Sequence, residues 1–233
     1  MISIVIFAAG RGSRLGASVP KFIVEVDSRP IFAHQFAALR NIAGEIYVIC
    51  GYRAALMLPL LLEETPELAS IRERLTFIHN ADFLSPQAGS VRRALAVIPP
   101  TRPALFIDGD MLFRPSDLRA LVDGGRSSVL LRRDPTADAV IAARDKAGQL
   151  IRFERGGKGD GEWGNVAYYS PEDLARLPGI CAQSKSRHHF ELLNELAESG
   201  AEIATHFAPL AEIDDIADLS AASKYLRELV DGV

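Results

Sequence analysis

The sequence predicts an α/β fold, a mixed, mostly parallel sheet flanked by helices. Three observations carry that expectation. Apolar, β-branched runs alternate with helix-like segments through the first half, the pattern of parallel strands joined by crossover helices. The first run, Ile2-Ser3-Ile4-Val5-Ile6-Phe7, empties into a glycine-rich loop, and open α/β sheets bind ligands at such strand ends. The 233 residues, 48% hydrophobic and 24% charged, suffice to bury a core of that size.

Taken in order, the first strand is followed by Phe22 to Val26, read as a short extended piece, and by a turn at Asp27-Ser28-Arg29-Pro30. Ile31, Phe32, Gln35, Phe36 and Leu39 recur at three-and-four spacing and predict a helix from Ile31 to Asn41. Glu45 to Cys50 is the second core strand. Helical segments are expected over residues 53–64, with a kink at Pro59, and 67–74. Leu75 to His79 is a third strand and Asn80 to Ala88 a polar loop. Gly89 to Ile98 reads as a helix stopped by Pro99-Pro100. Ala104 to Ile107 is a fourth buried strand, ending in Asp108-Gly109-Asp110. From Ser127 the pattern changes to strands at 129–131, 139–142, 150–153 and 165–169, separated by turns, which decorate the sheet instead of continuing its regular repeat. Helices at 171–177 and 188–199, strands at 201–207 and 210–214, and a closing helix at 215–230 complete the chain. A single domain over 1–233 is expected, in two halves of about 1–126 and about 127–233.

No apolar run approaches the roughly 20 residues that cross a bilayer, and Met1 leads into the first strand without a basic n-region, so neither a membrane partner nor a signal peptide is expected. A formal net charge of −4, with no Lys/Arg block interleaved with aromatics, argues against nucleic acid. Cys50 and Cys181 lack metal-ligand spacing, and Cys50, ending an apolar strand, reads as a small buried hydrophobe. A reduced, cytoplasmic compartment fits. Oligomeric state leaves no mark on the sequence.

The loop Ala8-Ala9-Gly10-Arg11-Gly12-Ser13-Arg14-Leu15-Gly16, with Pro20-Lys21 close behind, has the composition of a phosphate cradle. Glycines let successive amides converge on phosphate oxygens. Arg14 adds a planar fork and Lys21 a point charge. A Walker loop is excluded because Gly16 is followed by Ala17-Ser18 and not by Lys-Ser/Thr. A strict dinucleotide fingerprint is excluded because Leu15 stands where its third glycine belongs, although Gly16 leaves a looser variant open.

Asp108 and Asp110 leave an all-apolar strand at its carboxyl end, and Glu212-Ile213-Asp214 repeats the spacing, with Ile213 facing a core. Brought together, these four carboxylates form an all-oxygen pocket suited to Mg²⁺. Read separately, the first group also fits a polar turn and the second a helix cap. Phe153, Trp163, Tyr168 and Tyr169 could offer aromatic faces to a cation or simply pack. Lys158, in Arg155-Gly156-Gly157-Lys158-Gly159, could close over phosphate or sit on a solvated turn. His188 and His189 read as helix-start or surface residues.

AAGRGSRLG followed by PK, then VEVDSRPI, GYRA, DGDM, GEWGNVAYYSPEDL and EIDDIADL, in this order, resembles the nucleotidyltransferases that join an NTP to a phosphorylated small molecule. The likeness spans nearly the whole chain and leans toward the phosphocholine and phosphonate cytidylyltransferases, mainly through the late EID segment. It implies a Rossmann-like fold of the nucleotide-diphospho-sugar transferase type. It further implies that Gly10, Gly12, Arg14 and Lys21, within the Arg11 and Ser13 loop, handle the triphosphate, and that Asp110 and Asp214 hold Mg²⁺, with Glu212 and Asp108 assisting. Ala8, Ala9 and the Gln87 to Ser90 loop would line the base pocket. The resemblance implies CTP as the NTP and a small phosphorylated or phosphonate acceptor, met by Lys158, Trp163, Tyr168 and Glu191. Two departures stand out: Asp27-Ser28-Arg29-Pro30 lacks a glycine that relatives often carry before Arg/Lys-Pro, and Ser85 to Ser90 matches no cytosine-reading pattern closely. Two rival readings are a sugar-1-phosphate nucleotidyltransferase and a nucleotide-binding protein without turnover. The first is disfavoured by chain length, and the second by the presence of Lys21, Asp110 and Asp214 together.

Overall fold

Every residue of β1 (Ile2–Ala8) is buried, which is what a β-branched run becomes when strands flank it on both sides and helices cover both faces. The computed structural model describes residues 1–16, 19–57, 59, 66–69, 71–136 and 138–231. β1 lies parallel between β4 (Gly44–Cys50) and β6 (Ala104–Asp108), and β4 pairs parallel with β5 (Leu75–His79). The register sets Phe7 beside Asp108 and Ala8 beside Cys50. The glycine loop and the Asp108-Gly109-Asp110 turn therefore leave the sheet together at its carboxyl edge, where ligands bind such sheets.

Alternation along β1 divides the core. Ile2, Ile4 and Ile6 pack with Phe32, Phe36 and Leu39 of α1 (Ile31–Leu39), whereas Val5 and Phe7 pack with Val91 and Ala94 of α3 (Ala88–Leu95). The later strands do extend the same sheet, which corrects the expectation that they only decorate it. β11 (Glu162–Tyr169) joins antiparallel to β6, β8 (Ser128–Arg132) pairs with β11 and β12 (Ala204–Phe207), and β9 (Val140–Arg144) carries β10 (Leu150–Arg155).

Three local differences from the sequence reading bear on the site. Phe22 does not begin an extended piece. Lys21–Ile23 is a 3-10 turn closed by the Ile23 amide donating to the Pro20 carbonyl, and only then comes the hairpin of β2 (Glu25–Val26) and β3 (Arg29–Pro30). Two elements between Asp110 and Ser127 had no counterpart in the reading: β7 (Met111–Phe113) and α4 (Pro115–Gly124). Pro115 at the helix start and Gly125 at positive φ after its end mark α4 in retrospect. Finally, β7 pairs antiparallel with β13 (Leu210–Glu212), matching Met111 with Glu212. This ribbon packs against α7 (Ile216–Asp231) through Leu112, Ile213, Ala222 and Tyr225.

The remaining helices are α2 (Pro66–Ala69), α5 (Pro171–Gln183) and α6 (His189–Glu198). α5 runs past the expected stop at Leu177 despite Pro178, because Leu174, Leu177 and Cys181 bury one continuous face. Of the helix expected over 53–64, the start is a 3-10 turn (Ala54–Leu56) and most of the rest lies outside the described residues. Cys50 and Cys181 are both buried free thiols. Among the described residues no helix is long and apolar enough to cross a membrane.

Candidate active site

The turn after β6 is held in place by its surroundings. Gly109 donates its amide to the Phe7 carbonyl at 3.0 Å, and a Cβ there would lie 2.9 Å from that same oxygen, so only glycine lets the turn lie this close to β1. From α1, the buried Gln35 donates Nε2 to the carbonyls of Asp108 (2.9 Å) and Met111 (2.8 Å), clamping both ends of the turn. In the sequence Gln35 looked like one position of an apolar stripe. The amide of Ile213 donates to the Asp110 carbonyl at 3.1 Å, which carries the β7–β13 pairing to the point where Asp110 meets Asp214.

Lys21 stands between those two carboxylates. Its Nζ donates to Asp110 Oδ2 and Asp214 Oδ1, each at 2.6 Å, while Arg14 Nη2 reaches Asp214 Oδ2 at 2.9 Å. Burial pulls the Lys21 ammonium down, but Asp110 and Asp214 outweigh it and the net shift is upward. Gly12, at φ +59°, lies against Lys21: a Cβ there would come within 3.1 Å of Lys21 Cβ. The amides of Gly10, Arg11 and Gly12 have no partner among the described residues, as an anion cradle requires.

Oxygen atoms of Asp110, Glu212 and Asp214 lie within 4.8 Å of one another. Burial, then the charges of Asp110 and Asp214, push Glu212 up to about 7. Burial, then Asp110 and Glu212, push Asp108 well above the usual carboxylate range. Asp108 Oδ1 and Asp110 Oδ1 are buried without a donor among the described residues. Three converging carboxylates with an orphaned oxygen and mutual repulsion fit a hard divalent cation, so Asp110, Asp214 and Glu212 are the residues that would hold one. Asn165, at φ +54°, donates Nδ2 to Glu212 Oε1 at 3.3 Å and steadies it.

The other expected site residues divide. Ala8 and Ala9 are buried beneath the loop, and Arg11 lies 5.5 Å from the Tyr52 ring centroid. Ser13 opens a short 3-10 turn. Gln87 donates to Asp108 Oδ2 at 2.6 Å and accepts from the His189 amide, placing it at the carboxylates. Ser90 is buried and accepts from Asn80 Nδ2, a packing role beneath the loop. Trp163 lines a cleft of about 410 Å³ together with Arg14, Gln87, Glu212 and Asp214. Lys158 and Tyr168 are not among its lining; Tyr168 packs in the core. The Glu191 carboxylate accepts from the amides of Arg187 and His188 at the start of α6. The expectation for His189 is corrected: it is buried among Phe7, Phe106, Trp163 and Tyr169, with Nε2 2.6 Å from the Tyr169 hydroxyl.

Residues given no site role from the sequence also line the cleft, among them Arg132, Thr136, Arg155, Glu162 and His188. A charged residue opening the apolar strand β11 was the available signal. A wider groove of about 960 Å³ between α1 and α7, lined by His34, Ala38, Phe113, Leu226 and Leu229, holds none of the site carboxylates.

A glycine loop, an ammonium and four carboxylates meeting at the carboxyl edge of this sheet define a nucleotidyltransferase-type domain with the nucleotide-diphospho-sugar transferase fold. Residues 4–201 match the family model for the MobA-like NTP transferase domain, and the chain belongs to that family. Bifunctional protein GlmU of Burkholderia ambifaria is 31% identical over 159 residues, covering 65% of this chain and 33% of that protein. The chain thus matches about a third of the length of this curated relative. CTP:phosphocholine cytidylyltransferase from Streptococcus pneumoniae superposes with a TM-score of 0.75 at 15% identity, over 97% of this chain and 99% of the other. The inositol-1-phosphate CTP transferase from T. maritima gives 0.78 at 15% identity, over 99% and 97%. An apo UDP-glucose pyrophosphorylase gives 0.80 at 11%, over 98% and 99%. At these identities the three structures speak for the fold alone.

Proposed function

We propose that this protein is a Mg²⁺-dependent nucleotidyltransferase that moves a nucleotide, CMP from CTP, onto a phosphate or phosphonate oxygen of a small acceptor such as phosphocholine or 2-aminoethylphosphonate, releasing pyrophosphate. The carrying observation is Lys21, one ammonium bonded at once to Asp110 and Asp214 beside the amides of Gly10, Arg11 and Gly12, which have no partner among the described residues. A binding protein needs charge to hold a triphosphate, but it does not need three carboxylates converging beside that charge.

A phosphomonoester with a second pKa near about 6 is already largely dianionic at neutral pH, so no side chain has to remove a proton. The barrier is repulsion between two anions. Arg14, Lys21 and the amides of Gly10 to Gly12 neutralise the triphosphate and hold it in line for attack at the α-phosphorus. Asp110 and Asp214, with Glu212, would hold the divalent cation, which supplies charge neutralisation and Lewis-acid activation when bound. A half of about 1–126 serves the nucleotide and a half of about 127–233 binds the acceptor and completes the metal site, in a cytoplasmic setting.

The late Glu212-Ile213-Asp214 segment favours the cytidylyl reading, and the CTP-using proteins among the neighbours share the fold at 15% identity. A UDP-glucose pyrophosphorylase and a glucose-1-phosphate thymidylyltransferase among the structural neighbours support the alternative, transfer to a sugar 1-phosphate. A panel of four NTPs against phosphocholine, 2-aminoethylphosphonate and sugar 1-phosphates, read as Mg²⁺-dependent pyrophosphate release, decides between them. Release with no acceptor in the panel, under any NTP, sinks the proposal.

A further inference from the structure

The part of the cleft contributed by the later strands is organised around one buried carboxylate. Glu162, 6% exposed, opens β11 directly across from Arg132 at the end of β8. Its Oε2 accepts from Arg132 Nε at 3.1 Å, from Arg132 Nη2, and from the Thr136 amide at 3.0 Å, while Oε1 accepts from the Thr136 hydroxyl at 2.8 Å. The loop after β8 is then tied to β10, where Arg155 Nη1 donates to the Asp138 carbonyl at 3.0 Å.

With Nε and Nη2 engaged on Glu162, Arg132 Nη1 has no partner among the described residues, and the side chain lines the same cleft as Arg14, Glu212 and Asp214. A buried ion pair of this kind is poor value for stability, because desolvating both charges offsets most of their attraction. What it does provide is orientation. A guanidinium already held on two of its nitrogens has lost its rotamer freedom before a ligand arrives, so its remaining edge binds an anion without that entropic cost. Arg155, exposed and held among the described residues by one bond, lacks this preparation.

We infer that Arg132 binds the anionic group of the acceptor and that Glu162 is the residue that positions it. The inference rests on the nucleotidyl-transfer reading only in calling that anion the acceptor's. The test is calorimetric titration of the full chain, with Mg²⁺, using phosphocholine, 2-aminoethylphosphonate and glucose 1-phosphate, and separately a non-hydrolysable CTP analogue. At least one of the three anions should bind the wild type. Arg132→Gln should weaken it at least tenfold, Arg132→Lys less, and Glu162→Gln three- to tenfold, each leaving the CTP analogue within twofold. In the Arg132→Gln background, Glu162→Gln should cost nothing further, whereas a merely structural Glu162 gives additive losses. Unchanged anion affinity in both Arg132 variants, equal loss of nucleotide affinity, additive losses, or no anion binding by the wild type overturns the inference. Failure of the transferase reading shows separately, as intact differential binding without pyrophosphate release.

Discussion

Replacing Lys21 by methionine keeps the length of the side chain and removes only its charge, so it isolates what the ammonium does between Asp110 and Asp214. At 2.6 Å each attraction is about 6 kcal/mol gross at an effective dielectric near 20, and desolvation of the three groups cancels most of it. The side chains of Lys21, Asp110 and Asp214 are 14%, 20% and 26% exposed, between surface pairs worth about 0–1 kcal/mol and buried pairs that cost about 3–5 kcal/mol to break. Lys21→Met should therefore lower stability by about 2–3 kcal/mol in EDTA, measured by urea unfolding at fixed ionic strength. Excess Mg²⁺ should narrow that gap, since the converging carboxylates regain a cation. Pyrophosphate release should fall by about 10²–10³, the loss expected when one electrostatic stabiliser of a transition state is removed. A variant as stable as the wild type in EDTA, or one that turns over normally, refutes this account of the site.

Gly109→Ala places a Cβ 2.9 Å from the Phe7 carbonyl oxygen; it should cost about 1–3 kcal/mol by overpacking and reduce turnover, with the NTP KM rising as Asp110 shifts. Gln35→Leu removes both clamps on the Asp108–Met111 turn and should cost about 1–3 kcal/mol through carbonyls left unpaired, with activity falling more than the melting point alone accounts for; equal falls refute the clamp. Burial lowers His189 from 6.5 to about 3, so between those values the unfolded chain binds the extra proton, and the stability from neutral His189 is present above about pH 6.5 and lost as pH falls. Moving from pH 7 to pH 5 should then cost the wild type about 2 kcal/mol that His189→Gln does not lose; parallel urea curves for the two proteins exclude it. Glu191→Ala should lose about 1 kcal/mol of helix-start stability with acceptor KM unchanged, and a raised acceptor KM would return Glu191 to the acceptor role.

Strand and helix alternation was legible because the period of hydrophobic residues reports local backbone geometry, and β1, α1, β4, β5 and β6 lie close to where that period puts them. Arg14, Lys21, Asp110 and Asp214 stand out in the sequence because their residue types and neighbours are unusual for packing, and the structure brings the four side chains together. β7 and α4 were passed over: three residues are too few to show a period, and the apolar face of α4 is narrow, with only Leu118 and Leu121 buried. The burial of His189 was not legible because an imidazole inside an aromatic cage looks, in sequence, like any polar residue at a helix start.

By itself the amino-acid sequence determined the sheet class, the glycine loop, the cations that follow it and the two acidic pairs, all properties of short contiguous stretches. Only the tertiary structure decided that the pairs converge. Asp110 and Asp214 are 104 positions apart in the chain, and they meet because β7 pairs with β13 in a register that sets Met111 against Glu212. The clamp by Gln35, the wedge of Lys21 between two carboxylates, and the burial of Glu162 against Arg132 follow from the same cause. Each is a contact between distant segments, specified by how the sheet and ribbon pack and carried by no local pattern.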